Sequence, residues 1–455
     1  MYRVLLVDLG TPRNELSEPI GLEILAGFLR SHLPDIDVTL SSFELFPESQ
    51  VLSLLKDNTF DLVGISTKIR AFCRLERALK VLRECSSALI VLGDIVATFA
   101  FGEVLSRFPE VVCVIGEGEE ALLGLVRTLS HCGRIQRSHL YTIPNLAFTD
   151  CGSVRTTARS PLNLARLPHP ERALLSTVVQ RKGIAHVEGS RGCVSSSCAF
   201  CGVNHKYGGS PWRPLTVDYI VEELARLSRA GVRSPYFTDE DFLGSEPIRV
   251  HRFCRAVADA KTAGRIAPDM NFYFNCRVAS VLGEGYGGVK QSRSLFGSLA
   301  HIGLREVFLG LESGATQQIA RYRKRLSADR SLAALKLLRS LQIDVDLGFI
   351  CFDPDATLRD LRENVAFIKR AGIDRNYSRL LKKLRLEPFT ELGERRQRTL
   401  PSAKLDLDSV SYEYAFDDAR VAEVYRRFSD WEREDLDIIS DIWTQPPYDM
   451  IGFSV

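Results

Sequence analysis

The sequence has no run of 18 apolar residues and almost no excess of charge of either sign. A helix that crosses a bilayer needs about 20 consecutive apolar residues, so no membrane span is expected. Across 455 residues, 59 lysines and arginines oppose 57 aspartates and glutamates, and this balance argues against binding along a nucleic-acid backbone. The chain also lacks internal repeats and low-complexity tracts. Neither a membrane nor nucleic acid is therefore an expected partner.

A signal peptide is not expected either. The apolar run at residues 4–7 reaches Asp8 too soon for one and instead predicts a first β-strand. We therefore expect a cytoplasmic protein, whose 11 cysteines are free or metal-bound rather than paired in disulfides. Eight cysteines are scattered singly, where a thiol is most often a small buried side chain. The other three are clustered between residues 193 and 201 and are the candidates for chemistry.

Four apolar runs in residues 1–130 read as buried strands, and helix-periodic segments separate them. Such a pattern predicts a doubly wound parallel sheet, because strands covered by helices on both faces are hydrophobic throughout. Ligands of these sheets bind at the carboxyl ends of the strands. The residues expected at that edge are Gly10–Thr11, Ser66–Thr67, Gly93–Asp94 and Glu117–Glu119.

Residues 131–182 predict a small hairpin followed by an extended linker. Over residues 183–398, strand-like and helical segments alternate, which predicts a partial (β/α)6 barrel with its site at the carboxyl ends of the strands. The predicted strands are 184–188, 234–238, 270–275, 306–311, 344–350 and 383–386. Residues 399–455 predict a helical segment that caps the barrel. The expected fold class is α/β, with the doubly wound sheet first and the barrel second.

The clustered cysteines follow the first predicted barrel strand with the spacing Cys193–x4–Cys198–x2–Cys201. Thiolates suit iron–sulfur clusters or zinc. Three cysteines leave one iron of a four-iron cluster without a protein ligand, and that open position can bind a cosubstrate. A structural zinc site with His205 as the fourth ligand is the alternative that spacing alone leaves open.

This loop, with Phe200 before the last cysteine, resembles that of the radical S-adenosylmethionine superfamily, although the family usually has three residues in the first gap. Motifs after the later predicted strands resemble those of the same family. They are Phe237–Phe242, Asn275–Arg277, Gly310–Gly314, Phe352–Thr357 and Glu387–Leu392. The likeness spans about residues 183–395 and disfavours zinc.

The resemblance implies a [4Fe–4S] cluster and S-adenosylmethionine, whose reductive cleavage gives a 5′-deoxyadenosyl radical. It also implies an electron donor such as flavodoxin or ferredoxin. The implied metal ligands are Cys193, Cys198 and Cys201. The implied cosubstrate contacts are Phe200 at the adenine, Asp239 or Glu240 at the methionyl amine, and Asn275, Arg277, Glu312 and Ser313 at the ribose and carboxylate.

Residues 1–130 resemble the cobalamin-binding domain that is fused to many of these enzymes, through segments 19–29, 64–67, 92–99 and 115–119. No Asp-x-His-x-x-Gly motif follows the first strand, so no lower-axial histidine is offered. Asp94 follows Gly93 where the family usually has a second glycine, and its carboxylate is expected to crowd and repel the nucleotide tail. We therefore expect that cobalamin does not bind and that the domain is a scaffold closing over the barrel.

Three functions remain. The favoured one is radical dehydration of a 1,2-diol in an aminosugar, because the arrangement resembles the diol dehydratases of apramycin-type aminoglycoside biosynthesis, which work with a partner reductase. In this reading Asp239 and Glu240 bind the small polar substrate, and Tyr207 donates a proton or hydrogen, with Tyr219 or Tyr377 as alternatives. The second is a cobalamin-dependent radical methyltransferase. The third, a non-catalytic cluster or zinc scaffold, is disfavoured by the intact strand-end motifs.

Overall fold

The computed structural model describes residues 2–11, 16–195, 197–285, 287–374 and 377–434. Its first third contains β1 (Arg3–Asp8), α1 (Ile20–His32), β2 (Asp37–Ser42), α2 (Glu48–Leu55), β3 (Leu62–Ser66), α3 (Phe72–Cys85), β4 (Leu89–Gly93), α4 (Asp94–Phe99), α5 (Phe101–Arg107), β5 (Val112–Val114), α6 (Glu119–Cys132), α7 (Arg137–Leu140), β6 (Leu146–Asp150) and β7 (Ser153–Thr156).

The remainder contains a 3-10 turn (Leu164–Arg166), α8 (Leu175–Gln180), β8 (His186–Val187), β9 (Ser190–Arg191), α9 (Val203–Lys206), β10 (Arg213–Pro214), α10 (Val217–Arg229), β11 (Tyr236–Phe237), α11 (Pro247–Thr262), β12 (Phe272–Arg277), α12 (Val278–Val281), α13 (Gly288–Ile302), β13 (Leu304–Glu312), α14 (Thr316–Arg321), α15 (Ala328–Ser340), β14 (Asp344–Phe349), α16 (Leu358–Ala371), α17 (Tyr377–Leu380), α18 (Glu391–Thr399), β15 (Leu405–Asp406), β16 (Ser411–Tyr412) and α19 (Ala419–Glu434).

The N-terminal sheet has the strand order β2-β1-β3-β4-β5-β6-β7. Strands β1 to β5 pair in parallel, which confirms the predicted doubly wound sheet. Successive side chains of β1 enter opposite cores, since Leu6 packs with α1 and α6 whereas Leu5 packs with α3. The predicted hairpin is β6–β7, and it extends this sheet because β6 pairs antiparallel with β5.

The second sheet, with the order β14-β13-β12-β11-β8, is parallel throughout and forms the predicted partial barrel. The sixth predicted strand, residues 383–386, contributes only an isolated parallel bridge between Phe352 and Lys383. One side of the barrel therefore has little strand pairing. Cores on the outer face of the sheet are rich in phenylalanine, and Phe237, Phe242, Phe253 and Phe272 contact one another there.

The chain before α1 joins the two sheets through its backbone. Ser17 forms a parallel bridge with Ile184, just before β8. The N–H of Glu18 donates to the Ile184 carbonyl at 2.9 Å, and the N–H of Ile184 donates to the Leu16 carbonyl at 2.8 Å. The N-terminal part of the chain thus covers the start of the barrel's edge strand.

A buried arginine strengthens this junction. Arg172 donates to Glu18 Oε2 at 2.7 Å, to Glu223 Oε2 at 2.7 Å and to the backbone carbonyl of His186 at 2.8 Å. Its side chain is only 9% exposed, and both carboxylates are fully buried or nearly so. One side chain from the segment between the domains therefore holds the N-terminal segment, α10 and β8 together.

The C-terminal segment packs on the barrel as far as it is described. Phe428 and Tyr425 of α19 lie against Phe352, and Lys383 Nζ lies 4.1 Å from the centre of the Tyr414 ring. Residues 435–455, the rest of the predicted cap, lie outside the described residues. Within the described ranges, no helix has both the length and the apolar character that crossing a bilayer requires.

Replacing Arg172 with Ala is expected to lower the free energy of unfolding by about 3–5 kcal/mol, because Glu18 and Glu223 stay buried without their cation. Urea unfolding of the cofactor-free protein measures the change. The matched control is Arg77→Ala, which removes an exposed pair of the same 2.7 Å length with Glu48 and should cost less than about 1 kcal/mol. Equal losses in the two variants would contradict the assignment.

Candidate functional site

A cavity of about 420 Å³ lies between the carboxyl edge of the N-terminal sheet and the barrel. Ser66, Gly93–Asp94 and Glu117–Glu119 line it, as expected for that edge, whereas Gly10, Thr11 and Thr67 do not. Apolar side chains of the N-terminal domain form its inner wall: Leu6, Ile24, Leu25, Val91, Val114 and Leu122. Polar side chains form the barrel wall: His186, Glu188, Arg191, Lys206, Tyr207 and Thr238. The cavity therefore has an apolar wall from the N-terminal domain and a polar wall from the barrel.

The cysteine loop follows β9 at the edge of this cavity. Cys193 Sγ accepts from the N–H of Ser195 at 3.4 Å, and Ser195 Oγ lies 3.7 Å from Cys198 Sγ. The loop is anchored on both sides, because the N–H of Ala199 donates to the Tyr322 carbonyl and the N–H of Leu392 donates to the Ala199 carbonyl, both at 3.0 Å. All three cysteines are half-buried.

The same loop is fitted against the N-terminal domain. A Cβ added to Gly202 would lie 2.6 Å from the Phe99 ring, so only glycine allows this approach. His205 Nε2 lies 3.2 Å from the Thr98 carbonyl, and burial lowers the pKa of His205 to about 4. This nitrogen is directed at the backbone. Among the described residues, no three His, Cys, Asp or Glu side chains converge as ligands of a single metal ion.

The electrostatic surroundings of the thiols suit an anionic cluster. Burial raises the pKa of both Cys193 and Cys201 to about 12, so ligation to metal must displace their protons. Burial opposes the charge on Lys324, but Glu312 and the thiols of Cys198 and Cys201 raise its pKa above its ordinary value. Lys324 therefore stays protonated beside the thiols, where its charge favours thiolates. The donor set and its surroundings fit an iron–sulfur cluster.

Asp239, in the acidic motif after β11, accepts hydrogen bonds from neighbouring groups of the protein. Asp239 accepts from the N–H of Gly189 at 2.8 Å and from Ser190 Oγ at 2.5 Å, and burial raises its pKa to about 7. Both oxygens of Asp239 thus hold the chain that leads into the cysteine loop. The predicted contact of Asp239 or Glu240 with the methionyl amine or the substrate stays a prediction.

Glu240 forms a small cluster with Lys206 and Tyr207, two residues that line the cavity. Its Oε1 accepts from Lys206 Nζ at 2.8 Å and from the Tyr207 hydroxyl at 2.9 Å. Tyr207 is buried, and burial raises its pKa well above its ordinary value. Tyr207 is therefore held as a neutral donor to Glu240. The side chain of Tyr377, an alternative donor, lies outside the described residues, and Tyr219 donates to the Pro168 carbonyl away from the cavity.

The remaining predicted contacts divide into two groups. Asn275 accepts from the Tyr236 hydroxyl at 2.5 Å, Arg277 pairs with Asp241 at 2.6 Å, and Glu312 pairs with Lys324, all at the barrel mouth. Ser313 differs, because it is fully buried and its hydroxyl donates to Gln318 Oε1 at 2.6 Å. The side chain of Ser313 thus belongs to an internal amide network, and its predicted contact with the cosubstrate stays a prediction.

Phe200 lies in an apolar cluster at the same mouth. It is half-buried and packs edge-to-face on Tyr322, with ring centres 5.3 Å apart. The predicted position beside an adenine stays a prediction.

Sequence reasoning missed Arg191, which links the two domains across the cavity. It donates to Glu117 at 2.7 Å, to Glu119 at 2.6 Å and to Glu188 at 3.0 Å. A signal was present, because an arginine just before a ligand loop and two glutamates at a sheet edge have complementary charges. Their distance in the sequence concealed the pairing.

The structure also shows why Asp94 does not obstruct the cavity. Its Oδ2 accepts from Ser66 Oγ and its Oδ1 from the N–H of Ile95, both at 2.8 Å. Burial opposes the charge on Lys68, but Asp8 and Asp94 raise its pKa, so a protonated lysine offsets the carboxylate. A Cβ added to the neighbouring Gly93 would meet no atom within 4 Å. The turn at Gly93–Asp94 therefore leaves open space beside it, and the charge of Asp94 is balanced by Lys68.

Two family models match the chain. Residues 7–126 match the B12 binding domain, and residues 187–368 match the Radical SAM superfamily.

Among curated proteins, 4'-phospho-dehydrooxetanocin synthase of Priestia megaterium is 27% identical over 347 residues, which cover 71% of this chain and 44% of that protein. The chain thus spans less than half the length of this relative.

Two solved structures share the fold. The cobalamin-dependent S-adenosylmethionine radical enzyme OxsB, with aqua-cobalamin and S-adenosylmethionine bound, superposes with a TM-score of 0.85 and 21% identity over 100% of this chain and 70% of that one. The radical S-adenosylmethionine methyltransferase TsrM of Kitasatospora setae gives a TM-score of 0.70 and 17% identity over 89% of this chain and 77% of that one.

These findings overturn the expectation that the N-terminal domain lacks cobalamin. That expectation rested on Asp94, but the Asp94 carboxylate accepts a hydrogen bond from Ser66, and the charge of Lys68 balances it. The domain also matches the B12 binding model, and OxsB, which shares the fold, has cobalamin bound. Residues 7–126 of the chain therefore match the B12 binding domain and residues 187–368 match the Radical SAM superfamily, each over less than half of the chain.

Proposed function

We propose that the chain is a cobalamin-dependent radical S-adenosylmethionine methyltransferase that acts on a small polar substrate. One observation carries the proposal: a single cavity of about 420 Å³ joins the ligand edge of the B12 binding domain to the barrel beside the cysteine loop. A methyl carrier held by the first domain and a radical source held by the second would both face this space.

The inner half of the cavity fits cobalamin. Leu6, Val91 and Val114 offer an apolar wall to the aromatic base of the nucleotide tail. Gly93 leaves room for close approach of the tail, and Ser66 and Lys68 offer polar groups at the rim. Bound cobalamin would supply a carrier for the methyl group. The chain's own contribution is to hold this group at the sheet edge and to exclude water around it.

The barrel half fits the iron–sulfur cluster and S-adenosylmethionine. Cys193, Cys198 and Cys201 would ligate three irons, and the fourth iron would bind the cosubstrate. Glu240 and Glu312 offer carboxylates to its amine, and Phe200 and Asn275 remain candidates for its adenine and ribose. Lys324 pairs with Glu312, and its positive charge favours the nearby thiolates of Cys198 and Cys201.

The domain boundary would shield one side of the site from water. Arg191 is buried and neutralised by carboxylates from both sides of the cavity, and Phe99 packs on Gly202 behind the cysteine loop. A radical generated in this space would meet the substrate before solvent. Tyr207 and Lys206 extend from the cysteine loop toward Glu240 and fix the wall that the substrate would face.

The methyltransferase replaces the aminosugar dehydration favoured from the sequence. Dehydration was preferred because cobalamin was expected to be absent, and that premise is wrong. The shared fold with TsrM, a methyltransferase, supports the replacement. The match to the oxetanocin relative covers too little of that protein to transfer its substrate.

The product pattern tests the proposal. Protein reconstituted without oxygen with iron, sulfide and hydroxocobalamin should convert S-adenosylmethionine and a reductant to both S-adenosylhomocysteine, from methyl donation, and 5′-deoxyadenosine, from radical formation. Mass spectrometry with and without the vitamin measures both. Formation of 5′-deoxyadenosine alone, at the same rate with and without cobalamin, would refute a methyltransferase.

Gly93→Phe is expected to weaken retention of hydroxocobalamin at least about tenfold, because the ring enters open cavity space that the cofactor needs. Corrin absorbance after desalting measures retention. Gly102→Phe is the matched control, since a Cβ there also meets no atom within 4 Å but Gly102 does not line the cavity. Equal retention in both variants would place the vitamin elsewhere.

Replacing Cys193, Cys198 or Cys201 with Ala should abolish cluster assembly, because each thiolate ligates one iron. Iron and sulfide analysis after reconstitution, with the visible absorbance of the cluster, measures the loss. Cys85→Ala, at a half-buried cysteine in α3, should leave the iron content unchanged. A full complement of iron in Cys198→Ala would remove that residue from the ligand set.

A further inference from the structure

One imidazole faces the cavity between the two domains. Among the residues that the structure describes, His186 is the only histidine that lines this cavity, and no cysteine or methionine lines it. The strongly basic side chains on its walls, Lys68, Arg191 and Lys206, each pair with a carboxylate and stay protonated. A neutral imidazole is a good donor to first-row transition metals, whereas a protonated amine has no lone pair to offer. His186 is therefore the nitrogen ligand that this cavity can offer to a metal.

The hydrogen bonds of His186 determine which ring nitrogen is free. Its Nδ1 lies 2.9 Å from the backbone carbonyl of Glu18, which can only accept, so Nδ1 carries a hydrogen. Burial lowers the pKa of His186, and the ring is therefore neutral with its lone pair on Nε2. Within the described ranges, Nε2 has no hydrogen-bond partner. The free lone pair thus belongs to the nitrogen that the N-terminal segment does not hold.

The ring is also held in place from several sides. The backbone N–H of His186 donates to Glu18 Oε2 at 2.7 Å, and Arg172 donates to the same oxygen at 2.7 Å. The ring of Tyr236 meets the imidazole edge-to-face, with ring centres 6.3 Å apart. A histidine that ligates a metal almost always donates its other N–H to a carbonyl or carboxylate, which fixes the tautomer and the direction of the ring. His186 has this arrangement with Glu18 as the acceptor.

The segment that holds His186 is the one that follows β1. Residues 9–19 of this segment contain no histidine, and Ser17, Glu18 and Pro19 line the cavity together with His186. The imidazole therefore comes from the barrel and lies against the N-terminal domain at the cavity wall. The proposed function places the aromatic base of the nucleotide tail on the apolar wall of the cavity. A base held there is not bound to cobalt, which leaves an axial position of the metal open to a ligand from the protein.

We propose that Nε2 of His186 is an axial ligand of the cobalt ion when cobalamin is bound. The inference rests on the proposed function, which places cobalamin in this cavity. The lone pair on Nε2 forms the cobalt–nitrogen bond, the water that occupied this axial position leaves with its own electron pair, and Nδ1 keeps its hydrogen. No electron is transferred. The cofactor is then bound to both domains, by its nucleotide tail to the N-terminal sheet and by its metal to the barrel.

Isotope labelling of the wild-type protein tests the ligand directly. Protein carrying ¹⁵N only in its histidines is loaded with cob(II)alamin without oxygen, and electron paramagnetic resonance is recorded with the cluster oxidised and silent. The unpaired electron of cob(II)alamin lies along the axial direction, so an axial ¹⁴N splits each cobalt line into three and an axial ¹⁵N splits it into two. We expect threefold splitting in unlabelled protein and twofold splitting in labelled protein. Threefold splitting in both samples would identify the cofactor's own base as the ligand, and that result or an absence of splitting would overturn the inference.

Substitution then assigns the signal to one of the eight histidines. In His186→Asn the side-chain amide can still donate to the Glu18 carbonyl, as Nδ1 does, but it offers no nitrogen lone pair, so the splitting from the protein should disappear. His186→Gln is a second variant with the same expected loss. The matched control is His301→Asn, at an exposed histidine of α13 that does not line the cavity, and it should keep the splitting of the wild type. Twofold splitting that persists in labelled His186→Asn would give the cobalt to another histidine and overturn the assignment.

Retention of the vitamin separates this inference from the proposed function. Wild-type protein that keeps hydroxocobalamin after desalting and forms S-adenosylhomocysteine, but shows no splitting from histidine, would overturn the axial ligand alone. Wild-type protein that keeps no corrin would overturn the proposed function and this inference together.

Discussion

The cavity depends on one buried cation shared between the two domains. Arg191 comes from the barrel, immediately before the cysteine loop, while Glu117 and Glu119 come from the far end of the N-terminal sheet. Its pKa lies well above its ordinary value, because burial opposes the charge but Glu119, Glu188 and Glu117 favour it. Taking such charges out of water is costly, and only close pairing offsets the cost. Pairing of these four side chains therefore holds the two domains in their observed arrangement.

This constraint also sets the position of the loop that would hold the cluster. Gly192 and Cys193 follow Arg191 directly, so fixing the guanidinium fixes the start of the loop. Asp239 holds the chain on the other side of Arg191 through Gly189 and Ser190, and the loop's far end packs on Phe99 through Gly202. Charge, hydrogen bonding and close packing thus position different parts of one short segment, and both domains contribute. A site at a domain boundary needs such redundancy, because each contact alone would leave the loop free to turn.

Much of the fold was predictable because it depends on local patterns. The apolar runs of β1, β3 and β4 are buried on both faces of the sheet, and such runs are legible in any sequence. Two features were not predictable: the pairing of the hairpin β6–β7 with β5, and the near absence of the sixth barrel strand. Both depend on which strand edges of the two sheets other segments leave uncovered. The three cysteines could be found from spacing alone, because their chemistry resides in one loop.

Side-chain roles were less predictable, since they depend on partners distant in the sequence. Asp94 was interpreted as an obstacle because its neighbours Ser66 and Lys68 could not be placed beside it, although all three follow strands of one sheet. Ser313 follows a recognisable motif, yet its hydroxyl turns inward to Gln318 and Asn364. Composition and spacing identify which residues stand at a strand end, and only packing decides which of them face the cavity.

The backbone bridge between Ser17 and Ile184 has a consequence for the independence of the barrel. Strand β8 is the outermost strand of the second sheet. Residues 16–18 pair with Ile184 and so cover the start of its outer edge. Uncovered edges present unpaired N–H and carbonyl groups that recruit strands from other molecules. Arg172 and its carboxylates would also lose their partners if the N-terminal domain were removed. The barrel therefore depends on the N-terminal domain for its stability. We expect evolution to retain the two domains together rather than to exchange them separately.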